Sequence, residues 1–296
     1  MYRYLLLLAS LALVSCSHFQ ETRKAAPYLH PTPVRAPSDP IKTSPPAVVK
    51  KTAPQPKLPL PPVIAPSTQK RTPLAYQQTT RNGITLSAVS YDDRVHQLRV
   101  ADQPNGLGSR WTTAQEATAT YGGLAAINGG FFTPEGKPLG SLIETGTPRG
   151  SINQSSLGAG FYISSKSKSA IMRRDAYAKV KTSWNAYNLL QTGPMLAENG
   201  KTISGLSKTN NRPRSFIAWD GQHHWIIGHA SACTLAQLSH ALAGRTLAGI
   251  HIQVAVNLDG GRSSDLWVSS QIPGGGKSHR GLLNKPVRNY LVLTKR

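Results

Sequence analysis

Asp259 sits in a stretch suited to oxygen-rich ligands, Asn257-Leu258-Asp259-Gly260-Gly261-Arg262-Ser263-Ser264. A carboxylate there can take a proton or face a developing positive charge. The two glycines after it accept positive φ and let a ligand approach the main chain. Arg262, Ser263, Ser264 and the free amides suit phosphate or sugar oxygens. Alone, the Asp-Gly pair also fits a tight turn between two strands. A second stretch of the same kind, Asn128-Gly129-Gly130-Phe131-Phe132, also closes an apolar run and weighs against the bare turn.

The other acids can be taken one at a time. From Tyr76 onward there are 11 of them. Asp92, Asp93, Asp102, Glu135, Glu198 and Asp220 fall in predicted turns, and Glu116 serves a helix cap. Glu144 and Asp175 lie on polar, charged stretches. All of these read as solvated. Asp265 can face either side of its strand. The nine histidines show no zinc spacing. His223-His224 lies in a turn, and His96, His229, His240 and His251 stand alone. Cys233 reads as a small buried residue. No nucleophile elbow, Walker loop or dinucleotide fingerprint is present. No cofactor and no metal site is predicted, and the residues leave a divalent cation open.

The elements that must hold these groups are short. Period-two alternation marks strands at 84–89 and 95–100. Thr113-Ala114-Gln115-Glu116 is a capping box whose helix should stop at Gly122-Gly123. A buried strand at 124–127 delivers Asn128. Short strands follow near 141–144, 160–164 and 170–173, then a helix around 183–190 carrying Trp184 and Tyr187. A turn at Gly193-Pro194 leads into another strand. Strands at 215–219 and 225–229 form a hairpin. Thr234-Leu235-Ala236-Gln237 caps a helix with its apolar stripe at Leu235, Leu238, Ala241 and Leu242. An apolar run at 252–256 leads into the Asp259 stretch, and a last strand covers 290–294. Many short strands with two or three helices predict an α+β fold with a mixed β-sheet core, in one globular domain.

The chain has 296 residues and a net charge of +21. Residues 1–15 have one early charge and an apolar run too short to span a bilayer, the form of a signal peptide. Leu13-Val14-Ser15-Cys16 resembles the lipobox of bacterial lipoproteins, which makes Cys16 the expected lipidation site and membrane anchor. An ordinary signal peptide with a chance cysteine is the alternative. The expected location is the cell envelope, at the outer membrane in a Gram-negative host. Residues 16–75 hold 14 of the 22 prolines and read as a basic tether. Residues 76–296 form the domain, with 24 Lys/Arg against 11 Asp/Glu. Such a charge implies an anionic partner such as a phosphate-bearing glycan. Nucleic acid is not expected, because the compartment is wrong and no binding motif is present.

Taken in order, Asn128-Gly129-Gly130-Phe131-Phe132, Gly193-Pro194-Met195-Leu196, Arg214 before the 215–219 strand, and Asn257 through Ser264 resemble the signature of the phosphodiester glycosidase family. The resemblance covers residues 80–296. One position departs from it: Arg262 stands where the family usually has a third glycine. The resemblance implies hydrolysis of a sugar C1–O bond with a phosphate ester leaving. A phosphate ester leaves as a stable anion, so one firm carboxylate with arginines is a plausible minimum, where ordinary glycosidases need two carboxylates. Asp259 is then the base or oxocarbenium stabiliser. Arg214, with Arg262, holds phosphate. Asn128 and Asn257 bind sugar hydroxyls, and Gly129, Gly130, Gly260, Gly261 and Ser263 line the pocket. Two other readings compete: a non-catalytic envelope module binding anionic glycan, and a phosphodiesterase cutting P–O. The first has no use for Asp259, and the second commonly uses clustered metal ligands that are absent here.

Overall fold

The structure, a computed structural model, describes residues 72–296; the expected signal peptide, Cys16 and the tether up to residue 71 lie outside the described residues. Three antiparallel sheets surround one core, and each carries a helix on its outer face. The seven-stranded sheet runs in the order Ala75–Arg81, Ile84–Asp92, His224–Cys233, Arg212–Trp219, Val254–Asn257, Met195–Glu198 and Lys201–Thr202. A five-stranded sheet orders Lys277–Arg280, Asp265–Val268, Ala125–Asn128, Asn289–Lys295 and His96–Asp102. Another orders Thr147–Arg149, Leu142–Glu144, Asn188–Thr192, Gly160–Ser164 and Ser169–Arg173.

Alternation along the strands builds these layers. Ile217 faces the central core while its neighbours Phe216 and Ala218 face outward onto helix α3, Leu235–Leu242. Leu291 and Leu293 point inward, and Tyr290 and Val292 pack toward helix α1, Ala114–Thr120. Tyr162 points inward between Phe161 and Ile163, which meet residues of helix α2, Arg174–Trp184. A strand covered on both faces therefore reads as an unbroken apolar run, which is why 252–256 looked buried from sequence.

The α+β class holds, and the mixed sheet is corrected: among the described residues every strand pairing is antiparallel. The α1 crossover does join two strands running the same way, His96–Asp102 and Ala125–Asn128. The C-terminal strand Asn289–Lys295 inserts between them and pairs antiparallel with both. Helix α2 also departs from expectation, lying before the predicted 183–190 helix. Arg173, just before it, makes no side-chain cap bond, so no start signal marks the helix, although Tyr177, Val180 and Trp184 recur at helical spacing along its half-buried side. Residues 188–192 pair as a strand instead.

Both predicted capping boxes begin helices. At α3 the box is complete: Thr234 accepts from the Gln237 amide, and Gln237 returns a bond to the Thr234 amide (2.9 Å). Thr234→Ala should cost about 1 kcal/mol of stability in chemical denaturation. At α1, Thr113 accepts from the Glu116 amide, but the Glu116 carboxylate turns to the Thr112 amide (2.7 Å) instead.

Several acids expected in solvent are buried. Asp102 is fully buried and receives Arg288 through Nε (2.7 Å) and Nη2 (2.9 Å). Glu144 accepts from the Tyr121 hydroxyl (2.9 Å) and pairs with Arg149 (3.3 Å). Asp93 meets His223 (2.8 Å), and Asp92 meets Arg94. Partners such as Arg288 come from the far end of the chain, so turn position alone said nothing of their burial.

Candidate active site

The Asp259 stretch is the corner where the chain leaves the seven-stranded sheet at Val254–Asn257 and enters a five-stranded one at Asp265–Val268. All four signature segments meet at this corner. Asn257 donates its amide to Pro194 O (3.0 Å) and its Nδ2 to Gly193 O (3.0 Å) and Leu258 O (2.5 Å). Leu258 donates to Ser215 O (2.8 Å) and Asp259 to Gly129 O (3.0 Å). Asn128 ties both ends of the corner: its Nδ2 donates to Asp259 O (2.7 Å), and its Oδ1 accepts from Ser215 Oγ (2.6 Å) and the Asp265 amide (3.0 Å). The Asn128 side chain is fully buried and engaged in holding the corner. Asn257 keeps one buried atom without a partner, Oδ1.

Gly129 is pressed hard against its surroundings. A Cβ there would fall 1.9 Å from Asn289 Oδ1, which accepts the Gly130 amide (2.8 Å). Gly129→Ala must push Asn289 aside and break that bond. It should cost about 1–3 kcal/mol, read as a fall in Tm.

Asp259 is half-buried, and burial pushes its carboxyl above the ordinary aspartate range. Hydrogen bonds from Ser263 and the Gly260 amide (2.8 Å), and the charge of Arg212, offset this only in part. On the other side of Gly260 lies Arg214, only 6% exposed. A Cβ on Gly260 would sit 3.5 Å from its Cδ and 3.7 Å from its Nη1. Arg214 gives Nε to Cys233 O (3.1 Å) and Nη2 to Asn210 O. Burial, with Arg212 nearby, lowers its pKa. Among the described residues neither Asp259 nor Arg214 has a salt-bridge partner. A buried guanidinium and a half-buried carboxylate, neither in a salt bridge, thus border one glycine, an arrangement that costs stability unless a ligand completes it.

A model of the phosphodiester glycosidase family matches residues 121–294, more than half of the chain. The chain belongs to this family. The catalytic domain of zebrafish N-acetylglucosamine-1-phosphodiester alpha-N-acetylglucosaminidase, auto-inhibited by its pro-peptide, has a similar fold: TM-score 0.54 at 16% identity, over 75% of this chain and 82% of that one. A hypothetical protein from Synechocystis is similar at TM-score 0.52 and 14% identity, over 75% of this chain and 61% of that one. Comparison with curated sequences gives no match.

Around the phosphodiester glycosidase signature the surface forms two adjoining cavities. The larger, about 730 Å³, is lined by Arg212, Arg262, Gly261, Ala232, Leu282 and Leu283 among others. The smaller, about 260 Å³, is lined by Ser264, His229, His279 and Arg280 and shares Pro213, Gly261, Gly281 and Asn284 with the first. Asp259 and Arg214 line neither cavity; Arg214 lies against Gly260, the residue before the shared Gly261. Arg262, the departure from the family pattern, is exposed and gives its Nε to Leu283 O (2.8 Å). It thereby staples the 281–285 loop to the corner. Asp265 is buried, taking the Ala114 amide at the start of α1 (2.9 Å) and Arg280 (2.8 Å).

Arg212 and His279 were given no role from sequence. Arg212 lies two residues before Arg214, ahead of the strand read at 215–219, and the strand register shifts between the two, leaving Arg212 exposed and Arg214 buried. His279 had no comparable signal. Among the described residues no three His, Cys, Asp or Glu side chains come together as metal ligands.

Proposed function

We propose that the protein hydrolyses the C1–O bond of a sugar 1-phosphodiester, releasing free sugar and a phosphate monoester. The observation that carries this reading is the unpaired couple at Gly260: Asp259, raised by burial, and Arg214, buried with no carboxylate. A sugar phosphodiester supplies what both lack. Its phosphate offers an anion to Arg214 and Arg212, and its anomeric carbon develops positive charge as the C1–O bond breaks. Asp259 in its ionised form takes a proton from the attacking water or faces the oxocarbenium-like carbon. The C1–O electron pair leaves with the phosphate, and water oxygen bonds to C1.

Membership of the phosphodiester glycosidase family supports the reaction class. Asn128 and Asn257 hold the corner in shape, and the Gly260 and Gly261 backbone forms the floor beside Arg214 and Arg212. With the membrane anchor expected at Cys16, the proposed substrate is an envelope glycan or polymer bearing phosphate-linked sugar.

The test is release of free sugar by the full chain from a panel of hexose and N-acetylhexosamine methyl phosphodiesters and from UDP-N-acetylglucosamine. Release by wild type that is lost in Asp259→Ala supports the reading. No release from a folded protein contradicts it and leaves a glycan-binding module.

A further inference from the structure

Ser264 closes the Asp259 stretch, and its hydroxyl is unexplained by the fold. The residue is 2% exposed, its Oγ has no hydrogen-bond partner, and it lines the smaller cavity. A buried hydroxyl without a partner forfeits its hydrogen bonds, so the arrangement is stable only at a cost or with a ligand present. The same cavity is lined by two imidazoles. His229 and His279 stack at 5.4 Å, and His279 stacks in turn on Tyr76 (5.8 Å), whose hydroxyl bonds its Nε2 (2.9 Å). The fold therefore places a fixed stack of polar-edged rings and an unpartnered hydroxyl in the lining of one cavity.

The charge of this cavity differs from that of its neighbour. Burial pushes His229 down to about 4 and lowers His279 as well, so both rings are neutral at pH 7. The cation in the lining, Arg280, is already held by Asp265 (2.8 Å) and by Asn284 O (3.3 Å). The larger cavity carries Arg212 and Arg262, and neither forms a salt bridge among the described residues. An anion is favoured in the larger cavity, and an uncharged, hydroxyl-bearing ring in the smaller.

We propose that the cavity of Ser264, His229 and His279 is a monosaccharide subsite, with the Ser264 hydroxyl bonding a ring hydroxyl and the imidazole wall lying against the sugar face. This rests on the proposed hydrolysis for its place in the reaction but not for its detection. About 260 Å³ is room for one sugar ring. The larger cavity then takes the phosphate and the group esterified to it, so the two cavities divide the substrate at the shared wall of Gly261 and Asn284. Ser264 is a specificity-determining residue on this account, since only a sugar with a hydroxyl at that point satisfies it.

The test is binding of free glucose, galactose, mannose and N-acetylglucosamine to the full chain by saturation-transfer NMR and titration. At least one should bind saturably. Ser264→Ala should weaken that sugar by about tenfold while leaving Tm unchanged or higher, because the lost hydroxyl had no partner to leave behind. No binding by any of the four, or equal binding by Ser264→Ala, would overturn the subsite. If sugar binds and depends on Ser264 but no phosphodiester is cleaved, the subsite stands and the hydrolytic reading falls. If cleavage occurs and Ser264→Ala changes KM for no substrate, the hydrolysis stands and the subsite falls.

Discussion

Asp259→Asn is expected to lower kcat/KM for sugar phosphodiester hydrolysis by about a thousandfold, within the range for a lost proton-transfer group. The substitution keeps the shape, and the Asp259 backbone bonds to Gly129 and Asn128 are untouched. Only the charge goes. The pH profile carries a second signature. Wild-type kcat/KM should rise with pH through an ionisation displaced above the ordinary aspartate range, because burial raises it. The residual activity of Asp259→Asn should lack that limb.

Stability should move the other way. A carboxyl whose pKa is higher folded than unfolded binds more protons in the folded state between the two values, so stability falls as pH rises through that interval. Asp259→Asn carries no such loss. Its Tm should exceed wild type at pH 7, and the difference should close near pH 3, where both states of the wild type hold the proton. A site residue that destabilises its own fold is expected where an active site is assembled before its ligand arrives.

Arg214→Gln is expected to reduce kcat/KM by about a hundred- to a thousandfold, the usual loss when a donor to a developing anion is removed. Its effect on the unliganded protein should be small by comparison. The bonds to Cys233 O and Asn210 O weaken, but a buried charge with no counter-ion is removed with them. The separating measurement is thermal denaturation with millimolar inorganic phosphate. A folded-state ligand raises Tm in proportion to its binding. Phosphate should stabilise wild type and Asp259→Asn, and should stabilise Arg214→Gln much less. Arg214→Lys should recover part of the phosphate effect and less of the rate, because a point charge cannot make the same directed bonds as a guanidinium. Equal stabilisation of all four proteins would place the phosphate elsewhere.

The corner itself was legible because its signals are local. Paired glycines follow an apolar strand at both Asn128 and Asp259; the first pair admits the close approach of Asn289 and the second turns at Gly261 (φ 63°). Their meeting was not legible as physics, since the Asp259–Gly129 and Asn128–Asp265 bonds join segments more than a hundred residues apart. Only the ordered resemblance pointed to it. The buried acids were misread for the same reason. Asp102 is close in sequence to turn residues and close in space to Arg288. His229 looked isolated because its stacking partner His279 lies on a strand of another sheet. Arg262, read by type as a phosphate clamp, gives its Nε to the Leu283 carbonyl while lining the larger cavity, a contact no local signal announced. Helix α2 was placed too late in the chain because no cap marks its start and its apolar stripe, Tyr177, Val180 and Trp184, is short and only half-buried.

The bond that breaks can be read directly by carrying out the hydrolysis in water enriched in oxygen-18. If Asp259 and Arg214 serve attack at the anomeric carbon, the label enters the released sugar and the phosphate monoester stays unlabelled. Label in the phosphate, with unlabelled sugar, would mean that water attacks phosphorus and would contradict the assignment of this corner to glycosidic bond cleavage.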